Sequence, residues 1–137
     1  VDTPNSIDIA TLYPGDNYVD WTGLDGYNWG ETQSWSNWQE FNTIFLSSYE
    51  KIIHIAPRKP IMIAEVNTTN SGGNKDVWYK TMLEKSIPES FPKVDAIVFF
   101  NENKTHREGV NWSIDNPSTS LDVFKKAIHN PIYVSSF

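Results

Sequence analysis

The sequence predicts an α/β protein in which parallel strands are covered by helices, built as about half of an eight-fold (β/α) barrel. Three observations predict it. Strand-like runs alternate with helix-like runs along the chain. The strand runs are continuously apolar, as strands buried on both faces are. Their centres lie about 35–40 residues apart, close to the repeat of a barrel that needs roughly 250 residues to close. A small doubly wound sheet is the competing architecture.

Residues 1–5 read as the tail of a strand, and residues 19–27 as a short strand ending in a turn. From 37 to 56 the period changes. Trp38, Phe41, Phe45, Tyr49, Ile52 and Ala56 recur at three- and four-residue steps, which is one face of a helix. Ser36 and Gln39 fit a capping box at its start, and Pro57 lies beyond its end. Residues 60–66 form the next strand and residues 70–74 a loop. A helix over 75–85 turns Val77, Trp78, Thr81 and Met82 inward, and Pro88 and Pro92 bracket the connection to a strand over 94–101. A long polar loop follows. The last helix starts near Asn116 and Pro117, buries Leu121, Phe124 and Ile128, and stops at Asn130 and Pro131.

The chain has 137 residues, 39% hydrophobic and 20% charged, which is ordinary for a folded protein. A domain of this size buries roughly 68–70% of its unfolded surface, so it can make a core without staples. It has no cysteine, which removes a disulfide scaffold, a cysteine-zinc site and a thiol nucleophile. A net charge of -6 argues against nucleic acid and against an anionic membrane surface. No apolar run approaches bilayer length. The chain opens with Val1, which suggests a processed or excised product. Aromatic residues reach 14%, with 6 Trp, 6 Tyr and 7 Phe, and aromatic faces outside a core serve as flat contacts for sugar rings.

Glu65 is the most informative residue. It follows five apolar or small residues in a strand expected to be buried, and a carboxylate there is costly to desolvate without a partner. Active sites of parallel barrels lie at this C-terminal end of the strands. Glu65 is therefore either a functional carboxylate or one tied to a neighbouring strand or loop. Tyr27 closes the preceding strand, where its hydroxyl can donate to Glu65 and favour the ionised form. Asp25 is expected to point into the barrel and be hydrogen-bonded there. Trp29 and Trp35 sit in the loop after that strand, available to stack on a sugar or to fold back on the helix. Trp38 belongs to the helix stripe. His54, His106 and His129 form no metal-ligand spacing. No cofactor motif occurs, so neither metal nor cofactor is expected. Residues 102–108 mix both charge signs and read as a solvated loop. Asn67, Asn103 and Asn111 each open a glycosylation triplet, a pattern common by chance.

Three segments resemble glycoside hydrolase family 26. Residues 13–30 (YPGDNYVDWTGLDGYNWG) look like a family signature, residues 59–65 (KPIMIAE) resemble its nucleophile strand, and residues 100–104 (FNENK) with 112–115 (WSID) resemble its final strand and loop. They occur in the family's order and span most of the chain.

The resemblance implies that residues 1–137 are the C-terminal half of a (β/α)8 TIM barrel, roughly strands 5–8, with no second domain. It implies a retaining endo-β-glycanase acting on β-linked plant polysaccharide such as mannan, mixed-linkage β-glucan or β-1,3-xylan. Glu65 would be the nucleophile and Tyr27 would orient it. Substrate would meet Trp29, Trp35, Phe99, Asn101 and Asn5, with Phe99 standing where family members often have Trp. The family's general acid/base belongs to strand four, outside this chain, so the segment alone is expected to be inactive. The missing half-barrel, or self-association, is expected to cover the exposed inward face. The resemblance also implies an extracellular, cell-surface or multienzyme-complex location. A non-catalytic carbohydrate-binding module is the alternative, being also acidic and rich in aromatics.

Overall fold

The computed structural model describes residues 7–134. Two short 3₁₀ turns, Ile9–Thr11 and Asp16–Tyr18, lead into β1 (Thr22–Asn28), α1 (Phe41–Ile55), β2 (Ile61–Thr68) and α2 (Lys75–Thr81). A π-helical turn, Met82–Ser86, continues directly into α3 (Ile87–Ser90). Then come β3 (Val94–Phe99), β4 (Asn103–Lys104), α4 (Thr105–Glu108), β5 (Val110–Asn111) and α5 (Ser118–Ile128). The three long strands form one parallel sheet in the order β1-β2-β3, as the alternating pattern predicts, and β4 and β5 form a small antiparallel ladder. The proposed strand over residues 1–5 lies outside the described residues.

The core lies between one face of this sheet and the helices. Leu24, Ile61, Ile63 and Val66 from the strands meet Phe41, Ile44, Phe45 and Tyr49 of α1 and Trp78, Tyr79, Met82 and Leu83 of the second helical run. Phe41 packs at 4.6 Å from Phe45 and 5.0 Å from Phe91, ring centre to ring centre. The opposite face carries Gly23, Asp25, Met62 and Ala64, and Val98 there is 48% exposed. A groove of about 580 Å³, walled by Ile7, Leu12, Val19, Trp21 and Ile52, runs between β1, α1 and the segment before β1.

Several boundaries differ from the sequence pattern, each for a local reason. Helix α1 begins at Phe41, not at 37. Ser36 Oγ donates to the Gly30 carbonyl, the Gln39 amide donates to Asn28 Oδ1, and the Trp38 indole donates to Glu40 Oε1. Those groups are committed to the loop, so Glu40 starts the helix without a side-chain cap. Val77 is 58% exposed, while Tyr79 is fully buried. The run from Lys75 reaches Ser90, with Pro88 inside it. A proline ring clashes with the carbonyl four residues earlier, and the wider π turn ending at Ser86 accommodates it. In α5 the buried positions are Ser120 and Ala127, with Val123, Phe124 and Ile128 packing on the core.

Gly73 shows how tightly the loops are joined. A Cβ there would fall 2.3 Å from the Trp38 ring. Gly73→Ala is expected to destabilise the fold by ~1–3 kcal/mol through overpacking, read as a lowered urea midpoint with an unchanged slope.

Candidate active site

Parallel strands put their C-terminal ends on one side of a sheet, and here that side carries Tyr27 and Phe100, with Glu65 in the C-terminal half of β2 reaching toward them. The β1–β2 register pairs Leu24 with Ile63 and then Asp25 with Glu65, so β2 holds one extra residue at Ala64. The β2–β3 ladder is interrupted at the same place. Such a bulge re-aims a side chain. Glu65 emerges exposed between buried Ile63 and Val66. Its Oε2 accepts the Tyr27 hydroxyl at 2.5 Å, across two strands.

Around this pair is a pocket of about 220 Å³ lined by Tyr27, Trp29, Glu65, Phe100, Lys104, Glu108 and Trp112. That is below the roughly 300–1,000 Å³ of drug-sized ligand sites and suits a single sugar ring. Tyr27 stands 4.9 Å from the Trp112 ring, 5.8 Å from Phe100 and 6.5 Å from Trp29. Burial first, then the Glu65 carboxylate, pushes the Tyr27 phenol well above its usual range, so it remains a proton donor. Glu108 is held below the usual carboxylate range, chiefly by its hydrogen bond from Lys104.

A second layer fixes these walls. Asn67 is fully buried, and its Nδ2 donates to the carbonyls of Phe100 and Trp112. Its Oδ1 accepts the Tyr79 hydroxyl at 2.6 Å. Lys75, 1% exposed, donates from Nζ to the Ser113 carbonyl at 2.8 Å. Asn28 is buried behind Trp29, with Oδ1 accepting from the Gly30 and Gln39 amides and Nδ2 donating to Thr68 Oγ1.

Of the residues singled out from sequence, Glu65, Tyr27 and Trp29 meet in the pocket. Trp35, 68% exposed, lies outside the lining, its ring centre 5.6 Å from that of Trp29 with the planes tilted by 56°. Phe99 does not face the pocket. It is the register partner of Val66 and packs between Tyr79 and Phe124 on the helix side. Strand alternation gives the open side to Phe100 instead. Asn101 accepts the Ile114 amide on Oδ1 at 2.9 Å, tying the loop rather than lining the pocket. Asn5 lies outside the described residues. Residues 102–108 are not simply a solvated loop: β4 and α4 fold there and supply Lys104 and Glu108, and β5 pairs with β4. Pattern reading missed Lys104, Glu108, Phe100 and Trp112. Asn67 was missed as well, because the strand was read as ending at residue 66, whereas β2 runs on to Thr68 and carries Asn67 into the core.

No family model matches the chain. Over 117 residues, 85% of its length, it is 46% identical to Endoglucanase H of Acetivibrio thermocellus. The match takes in 12% of that protein, so the chain spans a small part of the curated relative's length.

Burial brings the Lys75 ammonium down to about 8 from an ordinary 10.5. The folded chain then binds fewer protons at this group than the unfolded chain does between those values. The burial cost is full below about pH 8 and is relieved as pH rises through that window. Comparing thermal midpoints of wild type and Lys75→Met is expected to show the difference shifting by a few degrees in favour of wild type between about pH 8 and 10.5.

Proposed function

We propose that this chain is part of a retaining endo-β-glycanase and that Glu65 is its nucleophile. The observation that carries the reading is an exposed carboxylate in the C-terminal half of the central strand, hydrogen-bonded to a half-buried phenol and opening into an aromatic pocket. The likeness to a protein named an endoglucanase supports it and favours β-linked glucan over mannan or xylan as the substrate. Sequential strand order and helices on one face support half of a (β/α)8 barrel, because a doubly wound sheet reverses its order and carries helices on both faces. The family 26 assignment rests on the quoted segments.

In this reading the ionised Glu65 attacks the anomeric carbon of a β-linked sugar and forms a glycosyl-enzyme. A second carboxyl group protonates the leaving oxygen and then takes a proton from the water that releases the sugar. The two carboxyls of a retaining site stand about 5–5.5 Å apart. Glu108 shares the pocket, but Lys104 holds it ionised, which disfavours it as the acid. The resemblance to family 26 places the acid on a strand outside this chain, and further strands of the same barrel would cover the groove beside β1. Secretion to where plant polysaccharide is met belongs to the same proposal. A non-catalytic carbohydrate-binding module would share the aromatic pocket, yet such modules are mostly β-sandwiches, unlike a parallel sheet under helices.

Glu65→Gln in the full-length protein is expected to lower turnover on β-glucan well over a hundredfold while binding is kept, and a 2-fluoro glycoside should label the wild-type peptide containing Glu65. Turnover retained by that variant refutes the reading. Tyr27→Phe keeps the ring and removes the donor; a drop in kcat/KM of roughly ten- to a hundredfold is expected, the size of a hydrogen bond to a charged group. The isolated 137-residue chain is expected to give no measurable turnover on either mannan or mixed-linkage glucan.

A further inference from the structure

We infer that Lys104 and Glu108 form the hydroxyl-reading element of the sugar subsite beside Glu65, setting which sugar is held there without taking part in bond breaking. This rests on the glycosidase reading of Glu65.

The pocket has four aromatic walls, Tyr27, Trp29, Phe100 and Trp112, and three charged groups, Glu65, Lys104 and Glu108. Two of the charged groups form a pair: Lys104 Nζ is 3.0 Å from Glu108 Oε1, with their side chains 23% and 35% exposed. Helical stability does not account for the pair. An i,i+4 ion pair is worth roughly 0.3–0.5 kcal/mol, and α4 is a single turn of 4 residues, far too short to hold itself together. Aromatic side chains lining the pocket hold the pair in place. The Lys104 ammonium lies 4.5 Å from the centre of the Phe100 ring, and Glu108 Oε2 accepts the Trp112 indole N–H at 3.4 Å.

This leaves hydrogen-bonding capacity directed at one place. An ammonium has three N–H donors, and the ion pair uses one; a carboxylate has about four acceptor sites, of which Lys104 and Trp112 take two. A donor and an acceptor side by side match two neighbouring equatorial hydroxyls of a hexose. Tyr27, Trp29 and Phe100, the half-buried walls, offer the apolar face such a ring needs, while Trp112 is buried behind them. Because Glu108 is held ionised, it accepts from a hydroxyl and has no proton to give a leaving group. Its contribution is therefore uniform binding, which moves KM and leaves kcat in place.

The test uses the full-length protein and soluble β-glucan oligosaccharides. Lys104→Met and Glu108→Gln are each expected to raise KM roughly ten- to a hundredfold, with kcat within about threefold and 2-fluoro labelling of Glu65 retained. The double variant should be little worse than the poorer single one, because the two act as a unit. Lys104→Arg, which keeps donors and charge, should recover part of the lost affinity, a recovery that a misfolded loop would not show. KM unchanged in both single variants, or kcat falling with KM constant, overturns the inference while leaving Glu65 as nucleophile. Absence of both turnover and labelling in the wild-type protein overturns the glycosidase reading, and this inference with it.

Discussion

One extra residue in β2 brings a phenol on β1 to 2.5 Å from a carboxylate on its neighbour. Much of the site depends on that bulge. Both flanking ladders break at the same point, so Glu65 leaves the plane of the sheet while Ile63 and Val66 stay buried on either side. A regular strand would alternate strictly and could not bury both of those residues while turning the acid between them outward. The local departure from regularity is what converts a core strand into a chemical one.

Beyond the bulge, the pocket is held by buried amides. Asn67 bonds the backbone on two sides of the loop after β3, and Tyr79 fixes the orientation of that amide from the helix layer. Asn28 does comparable work for the loop after β1. Polar groups in such positions are costly unless satisfied, and when satisfied they permit one arrangement of the chain. The aromatic walls therefore stand on rigid supports although they project from loops.

The order of strands and helices was legible because burial on both faces writes apolar runs into parallel strands, and a buried stripe writes a helical period into α1. Glu65 and Tyr27 were legible for a related reason: a polar group ending an apolar run needs an explanation. What was not legible came from contacts distant in sequence. The start of α1 was misread because Gln39 is bonded to Asn28, and nothing in the local pattern reveals that bond. Phe99 and Phe100 are adjacent and chemically identical, and only the strand register decides which faces the pocket. Lys104 and Glu108 sat in a stretch whose mixed charges resemble any solvated surface, and their meaning depends on Phe100 and Trp112.

The interior position of Asn67 bears on how the protein can be produced. Asn67, Thr68 and Thr69 make up a sequon, and all three are buried. A eukaryotic secretory host that decorates nascent chains would attach a bulky glycan to the amide nitrogen that must reach the Phe100 and Trp112 carbonyls. Occupancy at this asparagine and native closure of the pocket are mutually exclusive, so material from such a host would divide into folded, unmodified molecules and modified molecules unable to assemble the site.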